Sequence, residues 1–495
     1  MKESSIAGAP YDVAIVGAGC VGAAIARRLS SYELRVALLE QCADVGFGVS
    51  KANSGIIHAG FHHPTTSLKA RLEIRGNLMF EQLHHDLGFP FKRVGILVVA
   101  FSYEEMKTVE QLYAQGVENR VPLLEICSRE RMLMLEPNLN PDTVGGLYAP
   151  TGGIIEPYRY VFALVESAVK NGVVLHTEFC VARAAHDDGV YTIESEAGQT
   201  VRARHIINAA GLHADELSAI FGAEPFEITP RKGEEFLLDR KAAGFPNHVL
   251  FPVPARHSKG ILVIPTVEGT MMIGPTATEV EAKEDRATSD ENLDTVFAQA
   301  MHMVPSISRR DIITAFAGSR PVMAGNDFYI GVSTMAPHFI QVAGIQSPGL
   351  TASPAIAEYV KDLLKQDGLA LTEKTRFDPL LENSPRVREQ PIERLENLVA
   401  DDPNYGHIVC RCEAVSEAEI IEAIARGHTT MDGIKFYTRA GMGRCQGGFC
   451  TYRILKILAR ETGMPIDAIT KRGGESRLVL GRLGVGAIDG GEPDA

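Results

Sequence analysis

The chain has 495 residues and a formal net charge of −13, a length that suits about two to three domains. Its hydrophobic content of 45% and charged content of 22% are typical of a folded globular protein and exclude a largely disordered one. The acidic balance, with no basic block to offset it, argues against nucleic acid as the main partner. No apolar segment is long enough to span a bilayer, and residues 1–10 lack the apolar core of a signal peptide. We therefore expect a cytoplasmic protein without a transmembrane segment, a description compatible with peripheral association with a membrane.

The first unit along the chain has the pattern of a dinucleotide-binding strand–helix–strand. An apolar strand, Tyr11–Val16, leads into a turn with three glycines, a helical period follows, and a second apolar strand, Val36–Leu39, ends on an acid. In such a turn the glycines permit the bend, the approach of a pyrophosphate and the packing of the helix on the strand. The acid is placed to bind ribose hydroxyls. We predict a dinucleotide site at Gly17, Gly19, Gly22 and Glu40, with a glycine turn that binds nothing as the structural alternative.

Two further stretches have the composition expected around a bound dinucleotide. Residues 49–60 are small, polar and rich in glycine, so we predict a loop that runs beside the cofactor. The apolar strand Arg204–Ala210 runs into a glycine and then a helix, which suits the far side of the same site, although any strand-to-helix turn has this pattern. The candidate cofactor contacts from these stretches are Ser50, Asn53, Ser54 and Gly211.

The rest of residues 1–372 mixes helical and strand patterns. Helices are predicted at Leu68–Leu87, Tyr103–Gln115 and Tyr158–Asn171, and strands at Val94–Ala100, Val173–Thr177 and Tyr191–Glu194. Between residues 229 and 276 the pattern changes to short alternating runs, which predict an antiparallel sheet outside the doubly wound unit. These runs are Phe236–Leu238, Gly260–Ile264 and Thr270–Ile273.

A last strand and helix complete this region. The apolar strand Ile340–Gly344 is followed by a short polar turn and a helix near Ala355–Leu364. The start of a helix offers free backbone N–H groups and the positive end of the helix dipole. Such a terminus can stabilise negative charge on a reduced cofactor ring. We therefore take Ser347, Gly349, Leu350 and Thr351 as further cofactor contacts.

The composition changes after residue 372. Residues 373–404 are polar, contain four prolines and lack a sustained apolar period beyond Ile392–Leu398, so we interpret them as a linker. Residues 405–495 then form a separate C-terminal domain with its tail. Within it, Ser416 and Glu419 predict a capping box for a helix at Ala418–Arg426, and a second helix is predicted at Thr451–Glu461.

Four of the eight cysteines lie in this C-terminal domain. Cys410 and Cys412 form a CxC pair, and after 32 intervening residues Cys445 and Cys450 flank a glycine-rich loop. Four thiolates suit either a tetrahedral zinc ion or an iron–sulfur cluster. Zinc sites usually have two to four residues between paired cysteines, whereas a glycine loop can turn N–H groups towards sulfide. The pattern favours an iron–sulfur cluster and leaves structural zinc as the alternative.

The same residues resemble a known module. Residues 410–413 (CRCE) and 438–450 (TRAGMGRCQGGFC) closely resemble the 2Fe–2S module named after bacterioferritin-associated ferredoxin, which is also fused to the catalytic subunit of anaerobic glycerol-3-phosphate dehydrogenases. The preceding region resembles the D-amino-acid-oxidase-type FAD superfamily, and within it the type II glycerol-3-phosphate oxidases and dehydrogenases. The matching stretches are SKANSGIIHAG at 50–60, SKGILV at 258–263, GPTA at 274–277, AGSRP at 317–321 and QSPGLTASPA at 346–355. The resemblance implies an α/β fold, with a Rossmann-like FAD-binding domain, an interleaved antiparallel-sheet substrate domain and a small helical 2Fe–2S domain.

The resemblance also implies roles for three side chains. His58 occupies the place of the family's substrate-side histidine, as a base or orienting residue, and some relatives in the superfamily attach flavin covalently through such a histidine. Lys259 would lie over the flavin, where a cation can stabilise an alkoxide or reduced flavin. Arg320 would bind the anionic group of the substrate, and a guanidinium suits phosphate and carboxylate alike.

From this resemblance we expect an FAD enzyme that oxidises a small anionic alcohol, with glycerol 3-phosphate and its product dihydroxyacetone phosphate as the first choice. Electrons would leave through the 2Fe–2S cluster to a partner flavoprotein, an electron carrier or quinone. The same-class alternative is an L-2-hydroxyacid dehydrogenase of the L-2-hydroxyglutarate type. The alternative of another class is a non-catalytic electron-transfer subunit that holds FAD and cluster.

Overall fold

The computed structural model describes residues 9–254 and 260–481 and divides into two compact units. The first unit comprises Met1–Gln41 and Val45–Glu382, and the second comprises Cys42–Asp44 and Asn383–Ala495. Within the described ranges, no helix is both long enough and apolar enough to cross a membrane.

A parallel sheet forms the centre of the first unit's nucleotide-binding fold. Its strands lie in the spatial order Val174–His176, Val36–Leu39, Tyr11–Val16, Thr200–Asn208 and Phe339–Ala343. An antiparallel hairpin, Val181–Asp187 with Val190–Ser195, pairs with the first half of Thr200–Asn208, and Tyr329–Val332 pairs antiparallel with Phe339–Ala343. The predicted bounds of the first two strands are confirmed. The sheet buries the apolar runs at 13–16 and 36–39, whereas Tyr11 and Asp12 at the start of the first strand are half-buried.

Helices cover this sheet and connect it to the rest of the unit. The first helix, Cys20–Leu29, packs against Pro157–Lys170 and Gly349–Gln366. The predicted single helix at 68–87 is wrong, because it is two helices, and Gly76 and Asn77, both weak helix formers, end the first of them. The remaining helices of the first unit are Leu68–Asn77, Phe80–Leu87, Tyr103–Glu118, Arg129–Leu135, Ala214–Ile220 and Asp290–Met303, with 3₁₀ turns at Val49–Lys51, Gly211–His213 and Arg309–Asp311.

A second, larger sheet forms the other half of the first unit. In spatial order its strands are Thr278–Glu279, Thr229–Leu238, Met271–Gly274, Leu262–Pro265, Val249–Pro252, Ile96–Ala100, Gly145–Ala149 and Glu125–Ser128, and Ile312–Val322 pairs with Thr229–Leu238. The predicted antiparallel pairing among the runs at 236–238, 260–264 and 270–273 is confirmed. One pair departs from it, since Val249–Pro252 runs parallel to Ile96–Ala100.

The central strands of this second sheet are buried on both faces. Side chains alternate between the faces of a strand, so Leu97 and Val99 pack into one core, together with residues of helix Asp290–Met303. Val98 and Ala100 pack into the other core, with residues of helix Tyr103–Glu118. Any polar side chain on these strands therefore needs a partner inside the protein.

A third, small sheet joins strands Ile56–Ile57, Gly153–Ile155 and Phe91–Arg93. The short strand Ile56–Ile57 is buried, and His58 directly follows it.

The second unit is small and mainly helical. Its helices are Ile392–Asp401, Glu417–Ala425, Met431–Thr438 and Thr451–Thr462, with strands Ile408–Cys410 and Val415–Ser416 and 3₁₀ turns at Val387–Glu389, Pro403–Gly406 and Ile466–Ala468. The predicted capping box is confirmed, because the Ser416 backbone N–H donates to Glu419 Oε2 at 2.9 Å and the Glu419 N–H donates to Ser416 Oγ. Ile420, Ile434 and Leu458 are fully buried and form a core for this unit.

Candidate active site

The glycine turn after strand Tyr11–Val16 has the geometry of a dinucleotide cradle. Gly17 has a φ of +104°, and a Cβ placed on Gly22 would lie 1.9 Å from the Gly17 carbonyl oxygen. These two positions therefore require glycine. A Cβ on Gly19 would meet only Ser50 Oγ, at 3.0 Å, so the space in front of the helix start stays open for a ligand. The N-terminus of helix Cys20–Leu29 adds N–H groups and a positive dipole end, which suit a diphosphate.

Two polar side chains converge on this turn. The Ala18 N–H donates to Glu40 Oε2 at 2.9 Å, so the carboxylate lies beside the turn at the end of the second strand. The Cys20 N–H donates to Ser50 Oγ at 2.8 Å, which brings the loop at 49–55 against the start of the helix. This arrangement fits a dinucleotide with its ribose near Glu40 and its pyrophosphate near the helix start.

Asn53 holds that loop together. Its Nδ2 donates to the carbonyl oxygens of Val49 and Ser50, and its Oδ1 accepts from the Gly55 N–H at 2.9 Å. The side chain is thus used within the loop, and its role as a cofactor contact stays a prediction. Gly211 begins a short 3₁₀ turn with a φ of +61° after strand Thr200–Asn208, as the predicted strand-to-turn pattern requires.

His58 is buried and held from several directions. Its N–H donates to Thr351 Oγ1 at 2.9 Å, and its carbonyl oxygen accepts from Asn77 Nδ2 at 2.7 Å. Its Nε2 lies 3.2 Å from Ser347 Oγ, and its ring meets the Phe251 ring edge-on at 6.0 Å between centroids. The structure thus brings together three of the predicted site residues: His58, Thr351 in the first turn of helix Gly349–Gln366, and Ser347 two residues before that helix. Gly349 and Leu350 lie in the first turn of that helix.

Arg320 lies on strand Ile312–Val322, next to the strand that carries Glu235. An Nη of Arg320 donates to the Thr276 carbonyl oxygen at 3.2 Å. Burial lowers the pKa of Arg320, and the nearby Glu235 carboxylate opposes that shift. Lys259, the other predicted cation, lies outside the described residues.

Glu235 is a functional candidate that sequence reasoning missed. Its side chain is only 3% exposed, and its Oε1 accepts from Ser54 Oγ at 3.1 Å. Burial raises the pKa of Glu235 to about 7, although Arg320 and the Ser54 hydroxyl oppose the shift. A buried carboxyl with such a pKa is typical of groups that exchange protons near neutral pH. Its sequence context, two adjacent acids after Lys232 and Gly233, resembles an ordinary solvated turn. One signal in the sequence could have identified it. Adjacent residues of a strand face opposite sides of the sheet, so if this segment is a strand within a buried sheet, both acids must be buried.

Two glycines lie directly opposite each other beneath these charges. Gly233 pairs with Gly318 in the antiparallel ladder of strands Thr229–Leu238 and Ile312–Val322. A Cβ on Gly233 would lie 2.8 Å from an Arg320 Nη, and a Cβ on Gly318 would lie 2.3 Å from the Ala52 carbonyl oxygen. The absence of a side chain at Gly233 leaves room for the Arg320 guanidinium over strand Thr229–Leu238. The absence of one at Gly318 lets the loop at 49–55 contact strand Ile312–Val322.

The four clustered cysteines of the second unit lie in two contacting pairs. The Cys410 and Cys450 thiols are hydrogen-bonded to each other, and so are those of Cys412 and Cys445. Cys410 and Cys450 are buried, whereas Cys412 is exposed and Cys445 is half-buried. The two predicted motifs therefore meet in space, which suits a shared metal centre.

Backbone N–H groups point at these sulfurs. The hydrogen bond from Cys450, aided by the N–H groups of Gly441 and Glu413, lowers the pKa of Cys410 to about 6 against the effect of burial. Burial raises the pKa of Cys445, but N–H groups including that of Gly447 outweigh it, so the pKa is lowered. Thiolate-stabilising N–H groups around paired cysteines fit an iron–sulfur cluster.

Comparison with known proteins gives a family for each of the two regions. Residues 12–363 match the family "FAD dependent oxidoreductase", and residues 408–460 match the "BFD-like [2Fe-2S] binding domain". The chain is 43% identical over 473 residues to a glycerol 3-phosphate dehydrogenase of Caloramator mitchellensis. This match covers 95% of this chain and 98% of that protein. It is 34% identical over 376 residues to a glycerol 3-phosphate oxidase of Mycoplasma genitalium, covering 74% and 97% of the two chains.

A solved structure gives the same result for the fold. The dithionite-reduced, FAD-bound L-alpha-glycerophosphate oxidase of Mycoplasma pneumoniae superposes with a TM-score of 0.73 at 33% identity. The match covers 76% of this chain and all of that one. The predicted α/β fold class and both predicted cofactors are confirmed. The chain therefore belongs to the FAD dependent oxidoreductase family, with FAD as the cofactor of its first unit and a BFD-like [2Fe-2S] domain in its second.

Proposed function

We propose that this enzyme oxidises sn-glycerol 3-phosphate to dihydroxyacetone phosphate and passes the electrons through its C-terminal cluster to an external acceptor. The observation that carries the proposal is the similarity to a glycerol 3-phosphate dehydrogenase, which spans 95% of the chain and includes the cysteine module. The buried Arg320 guanidinium, near Glu235, whose carboxylate accepts from Ser54 in the loop that leads to His58, supports an anionic alcohol as the substrate.

Bound FAD supplies the acceptor for the hydride of the carbinol carbon, and the cluster supplies one-electron transfer. The chain's own contribution is to bind, orient and deprotonate the alcohol. We assign the proton acceptor to His58, because imidazole is the side chain suited to take a proton at neutral pH. Ser347 Oγ, 3.2 Å from the His58 Nε2, would orient the ring, and Thr351 and Asn77 fix the backbone on either side of it.

The substrate's charge is assigned to two cations with different tasks. Arg320 would bind the phosphate, in the ground state and the transition state alike, since a guanidinium binds phosphate with paired hydrogen bonds. Lys259 would stabilise negative charge that develops at the reacting centre. We expect the N–H groups at the start of helix Gly349–Gln366 to add to that stabilisation.

The cluster is assigned to the four cysteines of the second unit. Cys410, Cys412, Cys445 and Cys450 would be its ligands, because they meet in two pairs surrounded by backbone N–H groups. The acceptor would be a partner flavoprotein, an electron carrier or quinone.

The test is an anaerobic absorption spectrum of the purified enzyme before and after glycerol 3-phosphate is added. Bleaching of the flavin band, with glycerol ineffective, supports the proposal. Bleaching by L-2-hydroxyglutarate but not by the phosphate ester would replace it with a hydroxyacid dehydrogenase. A protein that carries both cofactors and responds to no small alcohol would be a non-catalytic electron-transfer subunit.

A further inference from the structure

Three side chains with metal-ligand atoms meet on the first unit, outside the site described above. His205 lies on strand Thr200–Asn208, His338 precedes strand Phe339–Ala343, and Asp367 caps the C-terminus of helix Gly349–Gln366. One ligand atom from each lies within 4.8 Å of the others. The Asp367 Oδ2 lies 2.9 Å from His338 Nδ1 and 3.6 Å from His205 Nε2. The proposed reaction uses none of the three.

His205 is oriented as a ligand. Its side chain is buried, and its Nδ1 lies 3.3 Å from the Asp12 carbonyl oxygen. A carbonyl oxygen only accepts hydrogen bonds, so the Nδ1 carries the proton and the Nε2 of the neutral ring has the lone pair. A histidine that donates one ring N–H to a backbone carbonyl and presents the other nitrogen is the usual arrangement at metal sites.

The other nitrogen of His205 lacks a hydrogen-bond partner among residues 9–254 and 260–481. The Nε2 is fully buried and faces the Asp367 carboxylate. At 3.6 Å this pair is too long for a hydrogen bond. By contrast, two ligands of one tetrahedral zinc ion, each about 2.0–2.1 Å from it, lie roughly 3.3 Å apart. A cation between the two atoms would satisfy both.

We propose that His205, His338 and Asp367 bind a divalent transition-metal ion. Two imidazole nitrogens and one carboxylate oxygen suit zinc, and also cobalt or nickel, better than calcium or magnesium. The His338 side chain is 43% exposed, so an ion can enter from solvent and keep water as its fourth ligand. The bound ion would link the central sheet to the end of helix Gly349–Gln366, whose other end carries the residues around His58. Metal binding to the folded state alone then stabilises the first unit.

The test uses the purified full chain with FAD and cluster, treated with a chelator and checked for unchanged iron content. Zinc binding is measured by anaerobic equilibrium dialysis with metal analysis, and cobalt binding by visible absorption. We expect one zinc ion per chain beyond the cluster iron. His338→Ala is the first variant because its side chain is exposed, and Asp367→Asn is the second.

Each variant should weaken zinc binding at least about tenfold. The control, His186→Ala, changes an exposed histidine on a hairpin strand of the same sheet and should bind zinc as the native chain does. Zinc should also raise the temperature of flavin release in the native and control proteins, but not in the two variants. Unchanged affinity in both variants, or no zinc taken up by the native chain at millimolar metal, would overturn the proposal. Both results are independent of the enzyme's substrate.

Discussion

Two adjacent glutamates show how burial and partners set the behaviour of one type of side chain. Glu234 and Glu235 point to opposite faces of a strand, and both are almost completely buried. Glu234 accepts from the Ser289 N–H and from Asn292 Nδ2, each at 2.7 Å, so it is a structural group beside the start of helix Asp290–Met303. Glu235 accepts from the Ser54 hydroxyl, and burial raises its pKa to about 7, so its carboxyl titrates in the physiological range.

The first prediction concerns the pH dependence that Glu235 causes. Its folded pKa of about 7 lies above the ordinary value of 4.5, so the folded chain binds this proton more tightly than the unfolded chain. Burial of Glu235 therefore does not lower the free energy of unfolding below pH 4.5, where the carboxyl is protonated in both states. Above pH 7 the ionised carboxylate lowers it by the full amount, about 1.4 kcal/mol for each unit of the pKa shift. We compare the free energy of unfolding of Glu235→Gln with that of the native chain at pH 8 and at a pH of about 4.5. The difference in favour of the variant should be larger at pH 8 by up to about 3 kcal/mol.

Urea unfolding followed by flavin fluorescence at both pH values measures this difference. Glu227→Gln, which changes an exposed glutamate of the same segment, is the control and should show no such difference. An ionised Glu235 also competes with the substrate anion for Arg320, so the native KM should rise as pH increases through 7 and the Gln variant should lose that rise. Parallel stability curves for native and variant would refute the assignment.

The second prediction separates substrate binding from proton transfer. Arg320→Ala should mainly raise KM, because the phosphate contact is made throughout the reaction. The rise should correspond to the roughly 1.5–3 kcal/mol of binding free energy that a hydrogen bond to a charged group contributes. His58→Asn should instead lower kcat by about 10²–10⁴-fold, as expected for loss of a general base. Steady-state kinetics with glycerol 3-phosphate test both. Glycerol, which has no phosphate, should be a very poor substrate and should lose little further in the Arg320 variant, and a large loss would contradict the role given to this arginine.

At the scale of elements, the cofactor turn and its helix make the third prediction. Gly22→Ala places a methyl group only 1.9 Å from the Gly17 carbonyl oxygen, which is a severe clash. The helix must then move away from the strand, so the first unit should lose stability. Gly19→Ala meets only the Ser50 hydroxyl, so the protein should fold normally but bind FAD more weakly, because the methyl group enters the path of the pyrophosphate. Flavin content after purification and the far-ultraviolet circular dichroism melting temperature distinguish the two. Full flavin occupancy in the Gly19 variant would show that the dinucleotide lies elsewhere.

Elements whose burial follows from their own residues could be predicted from the sequence. The position of strand Tyr11–Val16 follows from its sequence, because its last four residues form an apolar run that is buried between two pairing strands. Of strand Thr229–Leu238 only the last three residues were predicted, since Lys232, Glu234 and Glu235 are charged and buried by partners distant in sequence. The candidate site divides in the same way. Its glycines and cysteines have sequence spacing, whereas the environment of Glu235 exists only once strands from residues 229–238 and 312–322 pair.

At the scale of the whole molecule, the two units contain separate cores, and the fourth prediction follows from that. Cys445→Ser replaces a soft thiolate with a hard hydroxyl, so the protein should lose iron and acid-labile sulfide. The first unit should keep FAD, and substrate should still bleach the flavin in a single turnover, while multiple turnover with a one-electron acceptor falls. Cys180→Ser, which changes a half-buried cysteine outside the cluster motif, is the control and should leave iron content unchanged. Normal iron content in the Cys445 variant would contradict its role as a ligand.

Gly318, on the strand that carries Arg320, lets the loop at 49–55 approach that strand closely, and Gly233, which pairs with Gly318, leaves room for the Arg320 guanidinium. Any side chain at Gly318 would have to push the Ala52 backbone away, because only 2.3 Å separates its Cβ position from that carbonyl oxygen. A displacement of about 1 Å between reacting groups can lower a rate about 10²-fold. If Arg320 binds the substrate as proposed, we expect the spacing of substrate and cofactor to depend on the absence of a side chain at Gly318, a residue that is assigned no contact with either molecule.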